Sequence, residues 1–144
     1  MRIVPITALV CALLASSTPA LANHTINFTV QLSISKLDPK VTELGLHCIV
    51  GSKDPIATPA DILASSGQNP PAAKVSIGPT AGYTGPLSVP VTIPTDKMSQ
   101  AVKWQCGVQV KGPGGVWENF GAIGVPDWAK KSPSSSANSV GGKL

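Results

Sequence analysis

Apolar residues in this chain recur at every second position, in one run after another, and no other feature constrains the fold as much. Ile26, Phe28, Val30, Leu32 and Ile34 alternate with Asn27, Thr29, Gln31 and Ser33. Leu44, Leu46, Cys48 and Val50 alternate with Gly45, His47 and Ile49. The pattern returns in Ala73, Val75 and Ile77, in Leu87, Val89, Val91 and Ile93, and in Val102, Trp104, Cys106, Val108 and Val110. Strand side chains point alternately to opposite faces, so each run reads as a half-buried β-strand. A sixth run, Val116 to Ile123, has a less regular phase. The 14 glycines and 14 prolines would interrupt helices throughout, which excludes helical bundles. Pro90 falls on a non-core position and has no N–H, which predicts an edge or a bulge for its strand.

The N-terminus predicts export. Arg2 precedes an apolar run, Ile3 to Ala15, and a small-x-small site follows at Ala20-Leu21-Ala22. This is the architecture of a cleaved secretory signal, and the run is short for a membrane span. Cleavage after Ala22 divides the chain into a signal peptide, 1–22, a β domain, 23–131, and a Ser- and Gly-rich tail, 132–144, expected to be disordered. The expected location is periplasmic or secreted, with no membrane span after cleavage. Processing also removes Cys11 and Arg2, the only arginine. The lysines that remain are scattered, with only Lys130 and Lys131 adjacent. Nucleic-acid binding needs clustered cations, so nucleic acid is not an expected partner.

Two cysteines, Cys48 and Cys106, remain. An even count in an exported chain predicts a disulfide. Both lie in the core phase of their strands, which suggests a bond across the interior between two packed sheets. No C-x-x-C occurs, and His47 is the only ligand type beside them, so no metal or cofactor is expected. Thr58-Pro59-Ala60-Asp61 has the capping residue, the proline and the acid of a helix start, which predicts one or two helical turns over 59–65. Whether a further strand lies in 51–71 stays open.

The Val102-Lys103-Trp104-Gln105-Cys106-Gly107-Val108 segment resembles the aromatic-x-Cys strand of immunoglobulin domains, and Leu44-x-Leu46-x-Cys48-x-Val50 resembles their second strand. The resemblance covers these two strands and their separation. Trp104 stands where the family has tyrosine, and no tryptophan follows Cys48 in the next strand. It implies an immunoglobulin-like sandwich of six or seven strands with one inter-sheet disulfide. His24 to Ser35 also looks like the N-terminal strand of chaperone–usher pilins.

Nucleophile, zinc and phosphate-loop motifs are absent: there is no H-E-x-x-H, G-x-S-x-G, G-x-x-x-x-G-K-[ST] or G-x-G-x-x-G. Gly112-Pro113-Gly114-Gly115 fits a hairpin turn. If every connection reverses direction, this turn and the loop 78–86 share one end of the sandwich. Tyr83 lies in that loop and Trp117 just past the turn. Aromatics concentrate at binding hot spots, so these two residues are the candidate ligand-binding pair. The expectation is an exported, non-enzymatic binding or structural module with a protein or carbohydrate partner. The alternatives are a pilin-like subunit of a surface polymer, or a periplasmic metal-handling protein or enzyme whose site the sequence does not reveal. His24, His47 and Met98 could in principle hold copper but lie on separate segments. Asp54 and Asp61, which could pair as carboxylates, read as turn and helix-cap residues.

Overall fold

The computed structural model describes residues 22–78, 81–122, 124–130 and 139–144. The expected signal peptide, apart from Ala22, and residues 132–138 of the expected tail lie outside the described residues. Among the described residues there are eight strands, where six or seven were expected, because the open edges of the larger sheet also recruit Ile62–Ser65 and Ser139–Lys143. They are β1 (His24–Ile34), β2 (Glu43–Gly51), β3 (Ile62–Ser65), β4 (Ala73–Ser76), β5 (Tyr83–Ile93), β6 (Lys103–Lys111), β7 (Trp117–Asn119) and β8 (Ser139–Lys143). One short helix, α1 (Thr95–Met98), links β5 to β6. The fold is all-β with two sheets, as the period-two pattern requires.

The smaller sheet is a ribbon of β1 and β5, antiparallel and in unbroken register from His24↔Ile93 to Ile34↔Tyr83. Pro90 is accommodated because, among the described residues, β5 pairs with β1 alone and keeps an open edge. In the larger sheet β2 and β6 lie side by side at the centre. The other edge of β2 is shared by β3 and β4, and the other edge of β6 by β7 and β8. The core fills the space between the sheets. Phe28, Val30, Leu32, Ile34, Val89, Val91 and Ile93 from the ribbon bury against Leu44, Leu46, Cys48, Val50, Cys106, Val108 and Val110. Phe28 stacks on Trp104 across the gap, with ring centroids 5.0 Å apart.

Cys48 and Cys106 form the disulfide, but it does not bridge the two sheets as expected. The cysteines are cross-strand neighbours on β2 and β6, with Cα atoms 4.0 Å apart. The Cys48 N–H donates to Ser66 Oγ and its carbonyl accepts from the Ser66 N–H. Both backbone groups therefore point away from β6, which makes this a non-hydrogen-bonded pair, the close-set kind in an antiparallel ladder. Core phase gives the face on which a cysteine lies; it does not say whether the partner sits beside it or opposite it. The immunoglobulin resemblance fails at the same point, because that family's bond joins strands of different sheets.

Three local expectations are corrected. The helical turn stops after Pro59–Asp61, and Ile62–Ser65 is strand, because the open edge of β2 offers it partners from Ile49 to Gly51. Tyr83 begins β5 rather than sitting in a loop, since Ile34 is available to pair with it. Ser139–Lys143, expected to be disordered, forms β8 along Lys103–Gly107. Backbone pairing orders it where apolar content would not. A Cβ added to Gly142 would stand 2.7 Å from Trp104 Nε1, so the glycine lets the strand pass under the indole.

The turn at Pro59–Asp61 is held by a single carboxylate. Asp61 Oδ2 accepts from the Thr58 N–H and Oγ1, both at 2.9 Å, and Asp61 Oδ1 meets Lys53 Nζ at 2.8 Å. The ammonium and the Thr58 donors hold its pKa down at about 2. A folded value below the ordinary carboxylate value near 4 gives stability that is complete above about pH 4 and lost as pH falls through about 2. Asp61→Asn is therefore expected to lower the thermal midpoint at pH 7, with the difference from wild type vanishing near pH 2, as followed by circular dichroism. Replacing both cysteines, Cys48→Ala with Cys106→Ala, reopens a loop spanning 58 residues. Urea denaturation of that variant should show a loss of about 4 kcal/mol.

Candidate functional site

The core-facing positions of β2 and β6 leave His47, Ile49, Gln105 and Gly107 on the outer face of the larger sheet. His47 lies opposite Gly107 and Ile49 opposite Gln105, so these two neighbouring pairs make a flat patch. Two chain segments rise beside it. On the β2 side stand Ile62 and Gln68; on the β6 side stand Asn119, Phe120, Gly121 and Ala122. Together they enclose a groove of about 400 Å³, within the size range of small-molecule sites.

The first wall is fixed by a loop folded over the sheet. Gln68 and Pro71 form an isolated bridge, and a Cβ on Gly45 would sit 2.2 Å from Pro71 Cγ. Only glycine at 45 lets the loop close down there. The second wall is tied by Phe120 N–H to Val108 O at 2.9 Å and Gly121 N–H to Ala129 O at 2.8 Å.

The polar groups of the groove are neutral. His47 Nδ1 lies 2.8 Å from Gly67 O. A carbonyl only accepts, so Nδ1 carries the proton and Nε2 keeps its lone pair. Burial pushes the His47 pKa down, and the bond to Gly67 opposes this only in part. Asn119 Oδ1 accepts from Gln109 Nε2 at 3.1 Å, which commits the Asn119 oxygen and leaves its amide hydrogens as donors. Gln109, 3% exposed, is the next outer-face residue of β6 after Gly107. Its Oε1 is buried and has no hydrogen-bond partner among the described residues. An unmet buried acceptor costs about 1–3 kcal/mol.

The expected pair, Tyr83 and Trp117, does not share a face. The C-terminal ends of β4 and β6 lie at one end of the larger sheet. Thr42 receives the Ile77 N–H on its carbonyl and donates its own N–H to Lys111 O. The side chains diverge, however. Tyr83 lies on the inner side of β5, packs against the core and donates its hydroxyl to Pro86 O at 2.8 Å. Trp117 is half-buried on the outer face of β7, opposite Lys111 and two residues from Asn119. Parity along β7 puts Trp117 on the face that carries the groove.

The residues of the other expectations are dispersed. His24 opens β1, His47 lies on β2 and Met98 packs from α1 against the core. Asp54 meets Lys103 at 3.1 Å and Asp61 meets Lys53, so each acid has its own cation. Among the described residues no three His, Cys, Asp or Glu side chains gather in a metal-binding group, and no helix is long and apolar enough to cross a membrane. Sequence reasoning missed Gln68, Gln105 and Asn119. The outward phase of Gln105 and His47 was readable, but nothing in the chain marked the walls. Comparison with protein-family models, curated proteins and solved structures returns no match for this chain.

A depressed histidine pKa has a direct signature. The His47 ring should titrate by proton NMR with a midpoint below the ordinary histidine value near 6.5. Unfolding exposes the ring and restores that value. Stability from this group is thus complete above about pH 6.5 and falls as the pH drops through the folded midpoint.

Proposed function

We propose that this protein is an exported, non-enzymatic binding module, periplasmic or secreted, that takes a short neutral carbohydrate in the groove on the outer face of its larger sheet. The observation that carries this reading is the lining. Four uncharged hydrogen-bonding side chains, His47, Gln68, Gln105 and Asn119, surround apolar patches from Ile49, Ile62 and Ala122. A charged ligand would find no counter-charge among them, whereas sugar hydroxyls both donate and accept, as do amide side chains. Trp117 lies on the same face of the sheet, two residues along β7 from Asn119, and offers an aromatic surface there. The disulfide is consistent with an oxidising compartment, and the N-terminal pattern of Arg2, apolar run and Ala20-Leu21-Ala22 supports export.

Isothermal titration with neutral mono- and disaccharides tests the reading. Binding is expected for at least one of them, weakened about tenfold by Gln105→Ala, the loss of one or two hydrogen bonds. Gly107→Val, which places a branched side chain on the groove floor, should abolish it while leaving the thermal midpoint nearly unchanged. No binding by any neutral sugar, or binding indifferent to both substitutions, would overturn the assignment.

A further inference from the structure

We propose that β1 is a docking edge and that two copies of this chain pair through it, β1 against β1, antiparallel about a two-fold axis. The proposal is independent of the groove, which lies on the other sheet.

The prolines of β5 set the direction of the ribbon's backbone groups. Pro90 lies opposite Asn27 and Pro86 opposite Gln31. A proline has no N–H to give, so these are the pairs whose backbone groups point out of the ribbon. Thr29 with Ser88 and Thr25 with Thr92 are of the same parity. Their side-chain hydroxyls meet at 2.7 and 3.1 Å, as the close approach of non-hydrogen-bonded pairs allows. The N–H and C=O groups of Thr25, Asn27, Thr29 and Gln31 therefore face the open edge of β1. Among the described residues no strand lies on that side.

Edge strands are normally protected by brevity, bulges, prolines or charge. Among the described residues every other edge has one of these. β5 carries Pro86 and Pro90 on its outward positions. The β2 side is split between two four-residue strands, with a register shift at Val50/Gly51. The β6 side is split between strands of three and five residues. β1 has none of them. It is 11 residues long, in continuous register, and contains no proline, no glycine and no Asp, Glu, Lys or Arg.

The same features choose the occupant. A strand without Asp, Glu, Lys or Arg meets its own copy without like-charge repulsion. Centring the axis on Thr29, the midpoint of β1, gives the longest overlap and sets Asn27 opposite Gln31 of the partner subunit. The apolar inner face would continue across the axis, with Phe28 beside Val30 of the partner subunit. Pairing β1 to another copy's β5 would lose the donors missing at Pro86 and Pro90. The contact thus closes as a dimer instead of propagating as a fibre.

Sedimentation equilibrium of the purified exported protein is expected to give twice the chain mass, without further growth at higher concentration. Two matched substitutions assign the edge. Thr29→Pro and Ser88→Pro each remove an outward N–H, and each deletes the same Thr29–Ser88 hydroxyl contact. Thr29→Pro should be monomeric and Ser88→Pro dimeric. Should Thr29→Pro fail to fold, Thr29→Lys sets two like charges across the axis from an exposed position, and should raise the dimer dissociation constant about tenfold or more. Amide exchange at Asn27, Thr29 and Gln31 should be slow in the dimer and fast on dilution. A wild-type monomer at millimolar concentration, a mass that grows without limit, or a dimer unaffected by the substitutions at Thr29 would each overturn the proposal.

Discussion

The bond between Cys48 and Cys106 joins β2 and β6, the two strands of the larger sheet that, among the described residues, are paired along both edges. β3 and β4 hang from β2, while β7 and β8 hang from β6. None of these four exceeds five residues, and strands so short rely on the centre for their order. A covalent tie between β2 and β6 restricts the unfolded chain and fixes the register on which the four appended strands depend. It also places the outer-face pairs His47↔Gly107 and Ile49↔Gln105, which lie to either side of it in the ladder.

The split edges explain how a flat sheet acquires a concave face. A long neighbouring strand would have continued the plane. Here β3 ends at Ser65, and the chain loops over Gly45 before β4 resumes the edge. On the other side β7 ends at Asn119, and the segment through Phe120 and Gly121 leaves the plane before β8 returns. Both interruptions fall beside the middle of β2 and β6, so the two departing segments form walls over a shared floor. The missing side chain at Gly107 keeps that floor low. The ribbon is built the opposite way, with two long uninterrupted strands, and its outer edges are correspondingly plain.

Much of the architecture was legible because strand periodicity is a local property. The inward set Leu44, Leu46, Cys48 and Val50 is fully buried as its phase required, and Pro90 marked its strand as an edge. The site was barely legible. Tyr83 and Trp117 stood out by rarity, yet rarity does not carry direction, and one turned inward while the other faced out. Gln68, Gln105 and Asn119 are ordinary polar residues in the sequence. Only their convergence gives them significance.

The sequence by itself determined the strands that alternate at period two, β1, β2, β4, β5 and β6, the face each residue takes along them, and the pairing of Cys48 with Cys106. These follow from alternation at period two and from a count of sulfurs, neither of which requires knowing what lies next to what. Tertiary structure alone decided that the cysteines are neighbours within one sheet, that Ser139–Lys143 is a strand, and that a groove exists. Each of those depends on which open edge a segment meets. An edge offers hydrogen-bond partners to backbone of almost any composition, so the choice leaves little trace in the side chains.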